Sequence, residues 1–135
     1  MADLTITAAN VRPLEGCIIR RFTAGEAMTP GQPVYMSAAN TVSLCDASAV
    51  ATNGCIGLVV SNHNGAVSFA EGDPVDVVLY GPVTGFATNL AAATVVYTDD
   101  DAGILADAAG TKDTVVGIGL STSVLLVRPQ IIDFS

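Results

Sequence analysis

Apolar positions along the chain come in short runs rich in Val, Ile, Thr and Tyr, and Gly, Pro, Asn and Asp separate the runs. Such runs, bounded by turn residues, predict an all-β domain. Strands are predicted near 3–8, 16–22, 33–37, 41–45, 55–61, 66–69, 74–80, 82–88, 94–98, 103–106, 114–120 and 123–129. Asn64-Gly65 suits a hairpin turn in which both central residues take positive φ. Gly81-Pro82 is read as a break between VDVVLY and VTGFA. Helix signals are confined to 46–53 (DASAVATN), where a capping Asp precedes helix-tolerant residues, and to a second short excursion at 107–113.

Two repetitions are visible. TPGQPVYM at 29–36 is echoed by AEGDPVDV at 70–77. Pro33 and Pro74 each suit a strand's first position, because proline lacks an N–H, and Gly31 and Gly72 allow the bend before it. The cassette therefore predicts a turn leading into a strand. A longer echo has an offset of 62: Val34-Tyr35 falls on Val96-Tyr97, and Ile56-Gly57-Leu58 on Ile118-Gly119-Leu120. It predicts a quasi-repeat of 34–61 in 96–123, with 66–89 inserted between the two units.

Composition changes this picture in one respect. Half of the 135 residues are apolar but mostly small, with no Trp, and only 13% are charged, against about 25% in an average soluble domain. A small domain with so little charge is expected to have part of its surface covered by copies of itself or by a partner. Net charge is −8, and eleven of the thirteen acids follow Arg21. That disfavours nucleic acid and anionic membrane surfaces. Arg12, Arg20 and Arg21 lie in the first 21 positions, so the N-terminal segment alone suits an acidic partner. No apolar run reaches the roughly 18 residues of a membrane span, and MADLTITAAN does not read as a signal peptide.

Candidate chemistry is sparse. Cys17, Cys45 and Cys55 sit among apolar or small neighbours and read as buried reduced thiols; a Cys45–Cys55 bridge requires the loop between them to fold back. His63, the single histidine, has no partner order for nucleophilic catalysis and cannot alone build a zinc site. Asp99-Asp100-Asp101 lacks the ligand spacing of a calcium loop and reads as a solvated hairpin tip. Glu71, Asp73 and Asp76 form the other acid cluster, without evidence of two carboxylates facing across a cleft. Gly117-Ile-Gly119 reads as close strand approach or a bulge, not as a dinucleotide loop. No enzyme, cofactor or metal is expected.

The order AGEAMTPGQPVYMS, CIGLVVSN, AEGDPVDVVLYGPVTGF, ATVVYTDDDAGIL and VVGIGLSTSVLLVRP resembles the phage capsid cement (decoration) proteins. Each motif is β-turn grammar, and the order of five carries the resemblance, which spans about 16–129. It implies a compact β-barrel or β-tulip domain (16–135) of short antiparallel strands behind an extended N-terminal arm (1–15). It further implies a homotrimer on the outer surface of a virion, assembled in the host cytoplasm and clamping neighbouring subunits of the major capsid protein. Leu4, Ile6 and Val11 would be apolar anchors of the arm, and Arg12 a polar one. Removing 2–15 is then expected to abolish head binding and leave trimers folded. The alternative is a β-barrel binding module for carbohydrate or a small ligand displayed on the virion. Sugar sites favour exposed aromatics, and this chain has only Tyr35, Tyr80, Tyr97 and four Phe.

Overall fold

The computed structural model describes residues 4–6, 8–61, 66–88 and 90–131. The described chain is all-β. Two short N-terminal strands, β1 (Thr5–Ile6) and β2 (Arg12–Pro13), lead into β3 (Ile18–Ala24), β4 (Pro33–Ala38), β5 (Thr41–Leu44), β6 (Cys55–Val60) and the long β7 (Pro74–Thr84). After β8 (Phe86–Thr88) come β9 (Val95–Thr98), β10 (Leu105–Ala106), β11 (Thr114–Gly119) and β12 (Val124–Ile131). The order β7-β3-β5-β4-β6 returns to β7 and closes a five-stranded barrel. Its pairings are antiparallel except β3 with β5, which is parallel over Thr23 and Ala24. The second half of β7 carries a further sheet in the order β7-β12-β11-β9-β10.

The cassette explains how the barrel is punctuated. Pro33 and Pro74 begin β4 and β7, and Gly31 and Gly72 have φ of 96° and 91°, values that glycine adopts without a Cβ penalty. The two copies share their hydrogen bonds. The Thr29 amide donates to Gln32 Oε1 (2.8 Å), and the Ala70 amide donates to Asp73 Oδ2 (2.9 Å). The Gly31 amide donates to the Val59 carbonyl and the Val59 amide to the Gln32 carbonyl; in the second copy the Gly72 amide donates to the Ala24 carbonyl and the Ala24 amide to the Asp73 carbonyl. Met28 and Phe69, which precede the two turns, are bridged to each other and both buried. The predicted strand at 66–69 is reduced to this one bridge.

Gly81-Pro82 does not break the chain. β7 runs through it, exchanging β3 and β6 as neighbours for β12 and β2. A Cβ at Gly81 would lie 2.7 Å from the Cα and Sγ of Cys17, so only glycine lets the strand turn out of the barrel here. The excursion at 46–53 holds one turn of 3₁₀ helix at Val50–Thr52, and 107–113 forms none.

Two cores result. Phe22, Val34, Val42, Val59, Val75 and Val77 fill the barrel. Leu58, Val60 and Val78, on the barrel's outer side, meet Val83, Phe86, Val96, Val116, Leu125 and Val127 of the second sheet. β6 and β7 are therefore buried on both faces, which accounts for the unbroken apolar runs CIGLVV and VVL. The 62-residue echo corresponds to strand order: β5-β4-β6-β7 and β10-β9-β11-β12 follow one path. Their registers differ, because Val34 faces Gly57 whereas Val96 faces Gly117, two residues short of the echo. At Gly117 the register shifts, and a Cβ there would lie 2.0 Å from the Leu126 carbonyl oxygen. The expected bulge with close strand approach is present.

Candidate partner-binding surface

The described part of the N-terminal segment lies along the domain, with a 3₁₀ turn at Ala8–Asn10 between β1 and β2. Leu4 and Val11 are buried in the core beneath the second sheet, and Ile6 packs against it. The Leu4 amide donates to the Leu105 carbonyl, β1 pairs with β8, and β2 pairs with β7. The expectation that Leu4 and Val11 act as outward anchors is corrected: both are consumed by the chain's own core, and Ile6 is half-buried. Arg12, the fourth residue of that set, is exposed, opposite Thr84.

Beside Arg12 lies a surface that the sequence reading did not single out. Leu14, Ile18, Ile19 and Tyr80 are four of the seven large apolar residues found exposed among the described ones. Ile18, 59% exposed, stands directly opposite Tyr80 across β3 and β7, and the Leu14 amide donates to the Pro82 carbonyl. β5 meets β3 only at Thr23 and Ala24, so along 18–22 the strand has a pairing neighbour on the β7 side alone. Arg20 lies over the Phe22 ring at 5.4 Å, and Arg21 pairs with Asp76 at 3.0 Å. The Arg21 side of the latter pair is open to solvent, which limits what the pair adds to stability. Its signal in the sequence is the run IIRR, where in/out alternation fails inside a predicted strand.

The acids are mostly occupied by local structure. Asp99 is buried, not solvated as expected, and its Oδ1 accepts the Asp100 amide (2.7 Å). Asp100 accepts the Thr111 amide and hydroxyl, both at 2.7 Å, tying the hairpin to the 107–113 excursion. Asp101 alone of the three presents an exposed carboxylate for which the described residues supply no partner. Asp73 accepts the Ala70 amide, and Asp76 accepts from Arg21. Among the described residues no three His, Cys, Asp or Glu groups are placed to hold a metal. His63 and the Asn64-Gly65 turn lie outside the described residues.

The Cys45 and Cys55 thiols are free and buried, and the 46–54 loop does fold back, since the Cys45 thiol donates to the Thr52 carbonyl (3.1 Å). The hydrogen bond to Cys55, followed by burial, pushes the Cys45 thiol far up, so it stays protonated. Burial likewise raises Cys17.

Hydrogen bonds from the Thr111 amide and hydroxyl hold Asp100 below the ordinary Asp range. Burial pushes Asp46 up, but bonds from Ser48 and Thr52 outweigh it and leave it lowered as well. Groups depressed in the folded state bind protons first in the unfolded chain. The stability they supply is present above an unfolded Asp value of about 3.9 and is lost as pH falls through their folded values. Asp46→Asn with Asp100→Asn is expected to lose less Tm than the native chain on acidification below about pH 4. Parallel acid melts of the two proteins would contradict this.

The second sheet shows another unusual face. Out-facing positions of an antiparallel sheet packed on one core are usually polar. Here Pro82, Leu126, Ile118 and Val95 form one cross-strand row, and Val115 stands opposite Tyr97 in the next. A shallow groove of about 210 Å³ also lies between the N-terminal segment and the first cassette, lined by Leu4, Ile6, Thr29, Gln32 and Ile104 among others.

No protein-family model matches the chain, and no curated protein is significantly similar to it.

Proposed function

We propose that this is a structural virion protein that binds the outside of a tailed-phage icosahedral head and holds neighbouring major capsid subunits together, acting as a homotrimer. The observation that carries this reading is the ribbon of Leu14, Ile18, Ile19 and Tyr80, exposed along β2, β3 and β7 together with Arg12 in an otherwise acidic chain. Apolar side chains rimmed by arginine are the composition of protein-binding surfaces. The resemblance of the five ordered motifs to cement proteins names the partner. A protein with this role needs adhesion multiplied over copies, and several modest patches become tight retention through effective concentration.

The alternative, a carbohydrate or small-ligand module, draws less support. Neither the groove lined by Leu4, Ile6 and Gln32 nor the one lined by Val95, Ile118 and Arg128 has an aromatic ring among its lining residues.

Ile18→Asp combined with Tyr80→Ser tests the reading on expanded, undecorated heads. Head binding is expected to weaken by about tenfold or more. Tm should be nearly unchanged, because exposed substitutions usually cost within about 0.5 kcal/mol. Native affinity in this variant removes the ribbon from the contact.

A further inference from the structure

We propose that the outer face of the β9–β11–β12 sheet receives a second copy of this chain, whose β9–β10 hairpin tip places Asp101 against Arg128. The inference deepens the preceding one, since it rests on several copies acting together, and it is tested without heads.

Three observations converge on that face. The apolar row Pro82, Leu126, Ile118 and Val95 lies where solvent-facing polar residues belong. Beside it is a shallow groove of about 260 Å³, lined by Val95, Val115, Gly117, Ile118, Arg128 and Gln130. Arg128 is exposed, with no hydrogen bond or ion pair among the described residues, and none of the out-facing positions of β9, β11 or β12 is acidic. A guanidinium over apolar surface, with no carboxylate partner among the described residues, marks a face complementary to an acidic partner.

The chain itself supplies such a partner. With a net charge of −8 its body has the required sign, and Asp101 is presented on a tip that is held in shape. Asp99 is buried with its main chain bonded to Ala47 and Ile104, and Asp100 is fixed to Thr111. Asp101 and Ala102 are left outermost and exposed. A preordered tip loses little freedom on docking. Tip and groove are different surfaces, so a tip-to-groove contact that runs head to tail is heterologous, and a closed rotation between copies makes it a ring.

The test uses the full chain in sedimentation velocity from about 1 to 100 μM, the range in which modest homomeric contacts dissociate. The native protein is expected to form a closed oligomer. Arg128→Glu and Asp101→Lys should each weaken it about tenfold or more, and the two substitutions together should restore it, with Tm unchanged throughout. A native monomer over the whole range overturns the proposal, as does native assembly of R128E. Failure of the double variant to recover overturns the Asp101 pairing. If the native monomer nevertheless binds heads, the inference about self-docking falls while the capsid reading stands. If the oligomer forms but heads are ignored, the converse holds.

Discussion

Removal of residues 1–14 is expected to unfold the protein, or nearly so, instead of releasing a dispensable tether. Leu4 and Val11 are 7% and 0% exposed and belong to the core shared by the barrel and the second sheet, and half-buried Ile6 packs against that core. Burying each such side chain contributes about 1.5–3 kcal/mol. The loss is therefore on the order of 5 kcal/mol before the exposed Val83, Phe86 and Leu105 are considered, against a typical total of about 5–15 kcal/mol. β1 and β2 would also leave backbone partners on β8 and β7. Urea unfolding of the truncated chain measures this directly. A midpoint close to the native one would show that the segment is an appendage. The result matters for interpretation, because a truncated chain that fails to bind heads would have failed by unfolding.

The second large effect concerns glycines that carry no unusual backbone angle. A Cβ on Gly57 would lie 2.2 Å from the Val78 carbonyl oxygen, and one on Gly117 would lie 2.0 Å from that of Leu126. Both obstacles are main chain within a paired strand, so neither can rotate away. Gly57→Ala and Gly117→Ala are each expected to cost about 3 kcal/mol or more, at or beyond the upper end of ordinary overpacking. Gly72 provides the contrast. Its φ is 91° but nothing lies within 4 Å of an added Cβ, so Gly72→Ala should cost only about 1 kcal/mol, the strain of a left-handed L-residue. Denaturant midpoints for the three variants separate steric closeness from backbone strain. Equal losses would contradict the assignment.

Local grammar was the legible part of this fold. The GxPV cassettes, the strand run from 33 to 45 and the glycine bulge at 117 follow from which residues lack an N–H or a Cβ. Gly81-Pro82 misled because the same residues that end a strand also let one long strand bend between two sheets. Leu4 and Val11 were read as anchors for a related reason. An apolar residue in a terminal segment has the same alternation whether it meets its own core or another protein's. The parallel pairing of β3 with β5 has no local signature at all. The ribbon was illegible because Ile18 and Tyr80, far apart in sequence, meet only through the β3–β7 register, which itself shifts between Ile18 and Ile19. Arg128 and Asp101 were visible only as charges, since neither burial nor the occupation of neighbouring carboxylates can be read from one sequence.

The proposed function is attachment to the outside of a capsid. Its most direct measurement is a reconstruction, by electron cryomicroscopy, of expanded undecorated heads incubated with a saturating excess of the full chain. Ordered density is expected on the outer surface at symmetry-related sites bridging neighbouring capsid subunits, with the β2–β3–β7 ribbon against the shell. Heads from the cognate phage that remain bare at saturation would contradict it.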